Sequence, residues 1–276
     1  MSKIWLVTGA ASGLGREIAR AALEQGDTVL LADRRTDGAA ELVTTYSDRA
    51  IAVEMDVTNQ SQVDNVVADA INRFDRIDVL VNAAGRGHIG SVEDTPESDL
   101  RSLIELVLFG PVRLTKAVLP HMRSRRTGAI VQISSQAGQM SVPGMSSYSA
   151  GKFALEGLSI ALAQEVSALG IKVMIVQPGA MRTNFAGPAI SESPMTPDYR
   201  DSVGKLRQHV DEVAGKEPGD PVKIAHAILA ALAAENTPVR LAMGNSALDT
   251  LLAADRQTHN ERIKWEGLSR STDFTA

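Results

Sequence analysis

The sequence predicts a doubly wound α/β fold: one parallel sheet covered by helices on both faces. Two observations lead there. Short apolar runs alternate with helix-length amphipathic stretches from residue 3 to about residue 180, the pattern of repeated strand–helix–strand units. The runs are uniformly rich in Val, Ile and Leu rather than alternating with polar residues, as in strands buried on both faces. Composition agrees. Hydrophobic residues make up 44% but aromatic ones only 4%, so the core is built from aliphatic side chains.

Taken in order, strands are expected at 3–7, 28–32, 51–54, 78–82, 129–134 and 172–177, each followed by polar or glycine-containing residues. Helices are expected at 15–25, 60–74, 96–123 and 150–169. Right-handed crossovers place such helices on both faces of the sheet. Beyond residue 180 the pattern loosens into an irregular loop at 186–196 and a polar helix at 199–213. A helix at 221–234, a short strand at 239–242 and a C-terminal helix at about 247–266 follow. No internal repeat or low-complexity linker interrupts the chain. One domain over 1–276 is the simplest organisation, with 181–215 on the substrate side and 245–276 as C-terminal helix and tail.

Charge excludes some functions. Net charge is −5, from 33 acidic and 28 basic residues, with no basic stripe to attract nucleic acid. Arg123, Arg125 and Arg126 form the densest basic cluster and read as a solvated helix end. There is no cysteine, so disulfides, thiolate nucleophiles and Cys-ligated metals are excluded, and no metal site is expected. The N-terminal apolar run is too short for a signal peptide, and no segment has the length of a membrane helix. A cytoplasmic location is the expectation.

Thr8-Gly9-Ala10-Ala11-Ser12-Gly13-Leu14-Gly15 lies between the first strand and the first helix. Glycines permit a tight turn and close backbone approach to a pyrophosphate, which the following helix N-terminus attracts. Alone, such a turn is as readily a mere connection. Context favours a nucleotide. Asp33 ends the second strand, where a carboxylate accepts from an adenosine ribose hydroxyl. Asp56 and Val57 end the third and are set to edge the adenine. Asn82, Ala83, Ala84 and Gly85 end the fourth, where small residues let backbone approach a cofactor. Asp33 favours NAD(H), because it repels a 2′-phosphate. Arg34 and Arg35 follow at once and suit that phosphate, so NADP(H) stays open.

Tyr148-Ser149-Ala150-Gly151-Lys152 opens a helix after the fifth strand. Residues i and i+4 share a helix face, which brings the Lys152 ammonium toward the Tyr148 phenol. A neighbouring cation favours phenolate and moves the phenol toward the working pH range. Ser135, at the end of the fifth strand, is placed to hydrogen-bond a substrate oxygen. In this reading Tyr148 donates the proton on ketone reduction and accepts it on alcohol oxidation.

Together these residues resemble the short-chain dehydrogenase/reductase family over nearly all of residues 3–183. The resemblance rests on the Thr-Gly-x-x-x-Gly-x-Gly turn at 8–15, Asn-Ala-Ala-Gly at 82–85, Ser135 with Tyr148 and Lys152, and Pro178-Gly179 followed by Thr183. The glycine spacing is similar to that of the compact branch of the family. It implies a Rossmann-like domain with a seven-stranded sheet, assembly as homodimers or homotetramers, and a Ser, Tyr, Lys and helix Asn acting together. It further implies that Lys152 donates to the nicotinamide ribose and that 178–183 lies beside the carboxamide. The implied activity is NAD(P)(H)-dependent interconversion of a secondary alcohol and a ketone. Two positions depart from the pattern. Val107 stands where the family's helix Asn holds a water for a proton relay, and Ala83 stands where a second Asn is usual. Val107 leaves open an alternative, a dinucleotide-binding sensor or scaffold with little turnover.

Substrate preference is expected to be set by 86–95, 136–146 and 181–215. His88 either faces the substrate or is a solvated loop residue. Met140, Val142, Met145, Met181 and Phe185 either line an apolar, adaptable pocket or belong to the core. A lipophilic alcohol or ketone is the expected substrate. The stretch from Pro238 onward resembles the tails of hydroxysteroid-dehydrogenase-like relatives, a likeness of fold that names no substrate.

Overall fold

The computed structural model describes residues 2–274 apart from 186 and 188. Seven strands form one parallel sheet: β1 (Ile4–Thr8), β2 (Thr28–Asp33), β3 (Ala50–Glu54), β4 (Val79–Asn82), β6 (Gly128–Ile133), β7 (Ile171–Pro178) and β9 (Arg240–Met243). Two more, β5 (Gly87–Ile89) and β8 (Ile190–Glu192), pair with each other in a small separate ladder. The order in the large sheet is β3-β2-β1-β4-β6-β7-β9. The chain winds outward from β1 to β3, then returns to β1's other side and winds the opposite way. The reversal between β1 and β4 opens a crevice at the carboxyl ends of those strands, the usual ligand position in open α/β sheets.

Alternation of side chains along each strand divides the core into two layers. Trp5 and Val7 of β1, Leu31 of β2 and Val131 of β6 pack with Ile18, Leu23 and Leu229 on one face. Ile4 and Leu6, Leu30 and Ile130 pack with Val67, Leu114, Val118 and Leu162 on the other. The helices Gly13–Glu24 and Pro221–Ala233 cover the first layer. The helices Gln60–Phe74, Gly110–Arg125 and Ser146–Ser167 cover the second. Local signals place the helix starts. The Asn59 side chain accepts from the Gln62 N–H at 3.2 Å, and Asp220 from the Val222 N–H at 3.0 Å just ahead of Pro221, each satisfying a donor the helix cannot.

The strands fall within about two residues of expectation, and the differences lie elsewhere. The helix expected at 96–123 is α-helical over Glu97–Ile104 and Gly110–Arg125, with a π-helical turn at Glu105–Phe109 between them. The expected polar helix at 199–213 is α-helical only over Lys205–Val213 and follows a π-helical turn, Arg200–Gly204. The loop expected at 186–196 contains β8; its residues Ala186 and Pro188 lie outside the described residues. The helix Asn245–Lys264 seats only Ala247 and Leu251. Among the described residues, no helix is long and apolar enough to cross a membrane.

Candidate active site

The glycine turn is held down by its neighbours. Thr8 Oγ1, buried at the end of β1, accepts from the backbone N–H of Ala83 at 3.0 Å and of Ala84 at 3.1 Å. It also lies 3.3 Å from the Val81 carbonyl, to which it donates. That triple contact locks the turn to the segment after β4. Gly9 has φ +67, and a Cβ there would lie 3.0 Å from the Ala83 carbonyl, so only glycine fits both the dihedral and the approach.

Ser12 and Gly13 begin the first helix wall of a cavity of about 320 Å³, closed on the other side by Arg182, Thr183 and Asn184. Leu14 and Gly15 are buried behind it. Free N–H groups at the helix start and the Arg182 guanidinium give this cavity the chemistry of an anion site, while Arg16 on the same wall is paired with Glu17 and Glu41. Asp33 Oδ2 accepts from the Ala11 N–H at 3.2 Å and Oδ1 from the Arg35 N–H at 3.5 Å, which fixes the carboxylate beside the glycine turn. Burial raises the Asp56 carboxyl, but the Thr58 N–H and hydroxyl, at 2.9 and 2.7 Å, with smaller help from the charges of Arg34 and Arg113, hold it low. Val57 is buried against Gly110. These groups fit a dinucleotide: a cradle a side chain would fill, an anion cavity, and a fixed carboxylate beside the turn.

At the other end, Pro178 closes β7 and Gly179 donates to the Met243 carbonyl at 3.2 Å. Asn82 donates to Gln132 Oε1 at 3.0 Å, and its own Oδ1 is buried without a partner. Gly85 faces Val107, which lies on the π-helical turn.

Tyr148, Lys152 and Ser135 come together at the end of β6. The helix bearing the first two begins at Ser146, ahead of the expected start. Ser135 Oγ accepts from the Ala137 N–H at 3.1 Å and caps a 3₁₀ turn. Tyr148 is buried against Val107, Leu103 and Ala137, and its ring lies 5.8 Å from that of Phe185. Lys152 Nζ lies 5.7 Å from the Tyr148 ring centre but donates to the Ile133 carbonyl at 2.7 Å.

One electrostatic expectation is reversed. The lysine does not draw the phenol down. Burial pushes the Tyr148 phenol up to about 12, against the opposing hydrogen bond from Ser135. Burial also pushes Lys152 down to about 8, with Glu156 acting against it. The ammonium spends its hydrogen bond on a backbone carbonyl, and desolvation dominates both groups.

His88 sits where the sequence did not put it. His88 is neither solvated nor open to a substrate. It is buried in β5, with Nδ1 2.9 Å from Ser191 Oγ and Nε2 2.9 Å from Ser193 Oγ, and burial lowers its pKa. Met181 packs against the core layer over β1, whereas Met145 and Phe185 pack beside Tyr148. Val142 is exposed and Met140 half-buried. Sequence reasoning missed Glu156, buried one turn beyond Lys152, and Arg182 in the anion cavity. The helical spacing from Tyr148 through Lys152 was the available signal for Glu156.

Comparison with known proteins gives the family. Residues 3–193 match the short chain dehydrogenase family. The chain is 38% identical over 244 residues to a 3-ketodihydrosphingosine reductase from Bacteroides thetaiotaomicron, covering 88% of each chain. It is similar to a solved short-chain dehydrogenase from Streptomyces avermitilis, with 51% identity, a TM-score of 0.95, and 99% of this chain and 100% of that one covered. A short chain dehydrogenase from Burkholderia cenocepacia, solved in complex with NADP, has 26% identity and a TM-score of 0.73 over 95% of this chain and 97% of that one. A seven-stranded sheet wound about a glycine turn and a match over most of the chain lead to one statement: this protein belongs to the short-chain dehydrogenase family and is an oxidoreductase.

Proposed function

We propose that the chain interconverts a ketone and its secondary alcohol, with Tyr148 passing the proton. The observation that carries this reading is the meeting of Ser135, Tyr148 and Lys152 at the end of β6, with Lys152 Nζ 5.7 Å from the Tyr148 ring centre. Burial raises the phenol against the Ser135 hydrogen bond, so it keeps its proton at neutral pH and is the group that would pass it to a substrate oxygen. The Ser135 oxygen accepts from Ala137, and its proton, turned toward the Tyr148 oxygen here, would pass to the substrate oxygen. Lys152, 5.7 Å from the ring centre and held on the Ile133 carbonyl, is the cation beside that phenol.

When bound, a nicotinamide dinucleotide supplies or takes up the hydride. Gly9, Ser12, Gly13, Leu14, Gly15 and Thr183 would hold its pyrophosphate, Asp33 a ribose, and Asp56 with Val57 the adenine edge. Ala83, Ala84, Gly85, Pro178 and Gly179 would flank the nicotinamide half. The fixed Asp33 carboxylate favours NAD(H). Arg34 and Arg35 form no ion pair among the described residues, and they support NADP(H) as the second choice. The apolar Met145 and Phe185 beside Tyr148 suit a lipophilic substrate, and the similarity to a 3-ketodihydrosphingosine reductase supports a reductase. Residues 181–215 would form that side of the pocket. Phe109 and Phe153, both 46% exposed on helices that pack together, support assembly as a homodimer or homotetramer.

Val107 supports a second reading, dinucleotide binding with little turnover, because it places a methyl-bearing side chain against Tyr148 with nothing to hold a relay water. The test is turnover of a ketone panel of rising chain length with NADH and NADPH. Tyr148→Phe is expected to cut kcat by about 10³-fold while leaving dinucleotide affinity unchanged. Full activity in that variant, or no affinity for either dinucleotide, overturns the proposal. A wild type inert on every ketone that gains turnover with Val107→Asn selects the second reading.

A further inference from the structure

The helix that carries Tyr148 and Lys152 buries another charge. Glu156, one turn beyond Lys152, is 1% exposed. Lys152 Nζ donates to the Ile133 carbonyl at 2.7 Å, and the hydroxyl of the next residue, Ser134, donates to Glu156 Oε1 at 2.7 Å. Two consecutive residues at the end of β6 therefore hold an ammonium and a carboxylate in place, four residues apart on one helix face. Gln177 of β7 donates to both carboxylate oxygens, at 2.9 and 3.1 Å, and Arg240 Nε of β9 donates to Oε2 at 3.0 Å. Every partner of Glu156 is a donor, the pattern a carboxylate requires.

Among the described residues, Glu156 is the charge that acts on Lys152. Its own helix brings Tyr148 and Glu156. Strand β6 brings the Ile133 carbonyl, and the π-helical turn brings the apolar Val107 against the neighbouring Gly151. Among the described residues Glu156 pairs directly with Arg240 and not with Lys152, and its charge reaches the ammonium across the helix turn without contact. A buried cation without a counter-charge is costly and tends to neutralise. Arg240 divides the Glu156 charge from the far side, with its side chain 43% exposed.

We propose that Glu156 is the fixed counter-ion of Lys152, a positioning residue that keeps the lysine charged through the reaction, and that Arg240 tempers its field. The role of the lysine charge in turnover rests on the alcohol–ketone reading above, but the electrostatic relation itself does not. Glu156→Gln keeps the shape and an oxygen acceptor for Ser134 while removing the charge. Arg240→Gln keeps a donor but removes the competing cation. The two variants act on Lys152 in opposite directions.

The experiment follows the Lys152 titration by NMR in protein carrying isotope-labelled lysine, assigned by loss of the signal in Lys152→Met, alongside the pH profile of kcat/KM. Glu156→Gln is expected to move the Lys152 midpoint, and the alkaline limb of the profile, down by about one to two pH units at the separation of one helical turn. Arg240→Gln is expected to move both up by a smaller amount. A merely structural role would lower activity or stability at every pH and leave both midpoints unmoved, which overturns the proposal. So does a downward shift in Arg240→Gln. If Glu156→Gln does not fold, the direction seen in Arg240→Gln decides. An inert wild type sinks the alcohol–ketone reading alone, because the NMR midpoints still judge the counter-ion.

Discussion

Replacing Thr8 by valine tests whether the dinucleotide crevice is held open by one hydroxyl. Valine nearly matches threonine in volume and suits a buried strand, so packing and strand propensity change little. The hydroxyl is the difference. Thr8 is 1% exposed, and its oxygen receives the Ala83 and Ala84 N–H groups at 3.0 and 3.1 Å. Each N–H left unpaired costs about 1–3 kcal/mol, and some relaxation of the loop recovers part of that. A net loss of about 3 kcal/mol is expected, or about 6 °C in Tm for a chain of this size. The assay is thermal unfolding combined with titration by NADH and NADPH. Because the broken bonds lie at the crevice, dinucleotide affinity should fall at least tenfold at temperatures where the variant is fully folded. Thr8→Ser keeps the oxygen and should bind dinucleotide nearly as the wild type does. A Thr8→Val protein that melts and binds like wild type would refute the reasoning, as would a serine variant as impaired as valine.

Two further predictions concern the helix Ser146–Ser167. Gly151→Ala puts a methyl group into Val107 Cγ2 and should destabilise the protein by about 1–3 kcal/mol; Val107→Ala in the same chain should recover much of the loss, as urea unfolding of the double variant would show. Lys152→Met removes a cation that burial has pushed from 10.5 down to about 8. The unfolded chain binds that proton more tightly, so native stability carries its full cost below pH 8 and regains it as pH rises toward 10.5. Each pH unit of that window is worth about 1.4 kcal/mol, which makes the cost about 3 kcal/mol at neutral pH. The methionine variant should be the more stable protein at pH 7 and lose that advantage by about pH 10.5; a gap that stays constant across the window would exclude the mechanism.

The large sheet was legible because strands buried on both faces must be apolar along their whole length, and the runs at 28–32 and 129–134 have no other use. The Ser135, Tyr148 and Lys152 group was legible because helical spacing and strand ends are local properties. What escaped depends on partners distant in the chain. The β5–β8 ladder joins two three-residue segments about a hundred positions apart, too short to show a period. His88 reads as a loop residue until Ser191 and Ser193 close on its two nitrogens. The π-helical turn at Glu105–Phe109 changes hydrogen-bond register without changing composition. Glu156 shares the spacing of Tyr148 and Lys152, but nothing local announces that Gln177 and Arg240 will enclose it. The charge of Lys152 was foreseen and its consequence was not, because two residues' spacing carries no measure of desolvation.

The floor of the crevice, from Gly9 to Gly15 on one side and Ala83 to Gly85 on the other, is made of main chain brought together by Thr8. A surface of this kind presents the same amides and carbonyls whatever residues surround it, and it has almost no side chains to vary. Selection and engineering can therefore act mainly on the side chains around it, such as Asp33, Arg34 and Arg35 after β2. Changes there can alter what is held without reshaping the bed on which it must lie. One scaffold can in this way serve many substrates while its floor stays nearly invariant in shape.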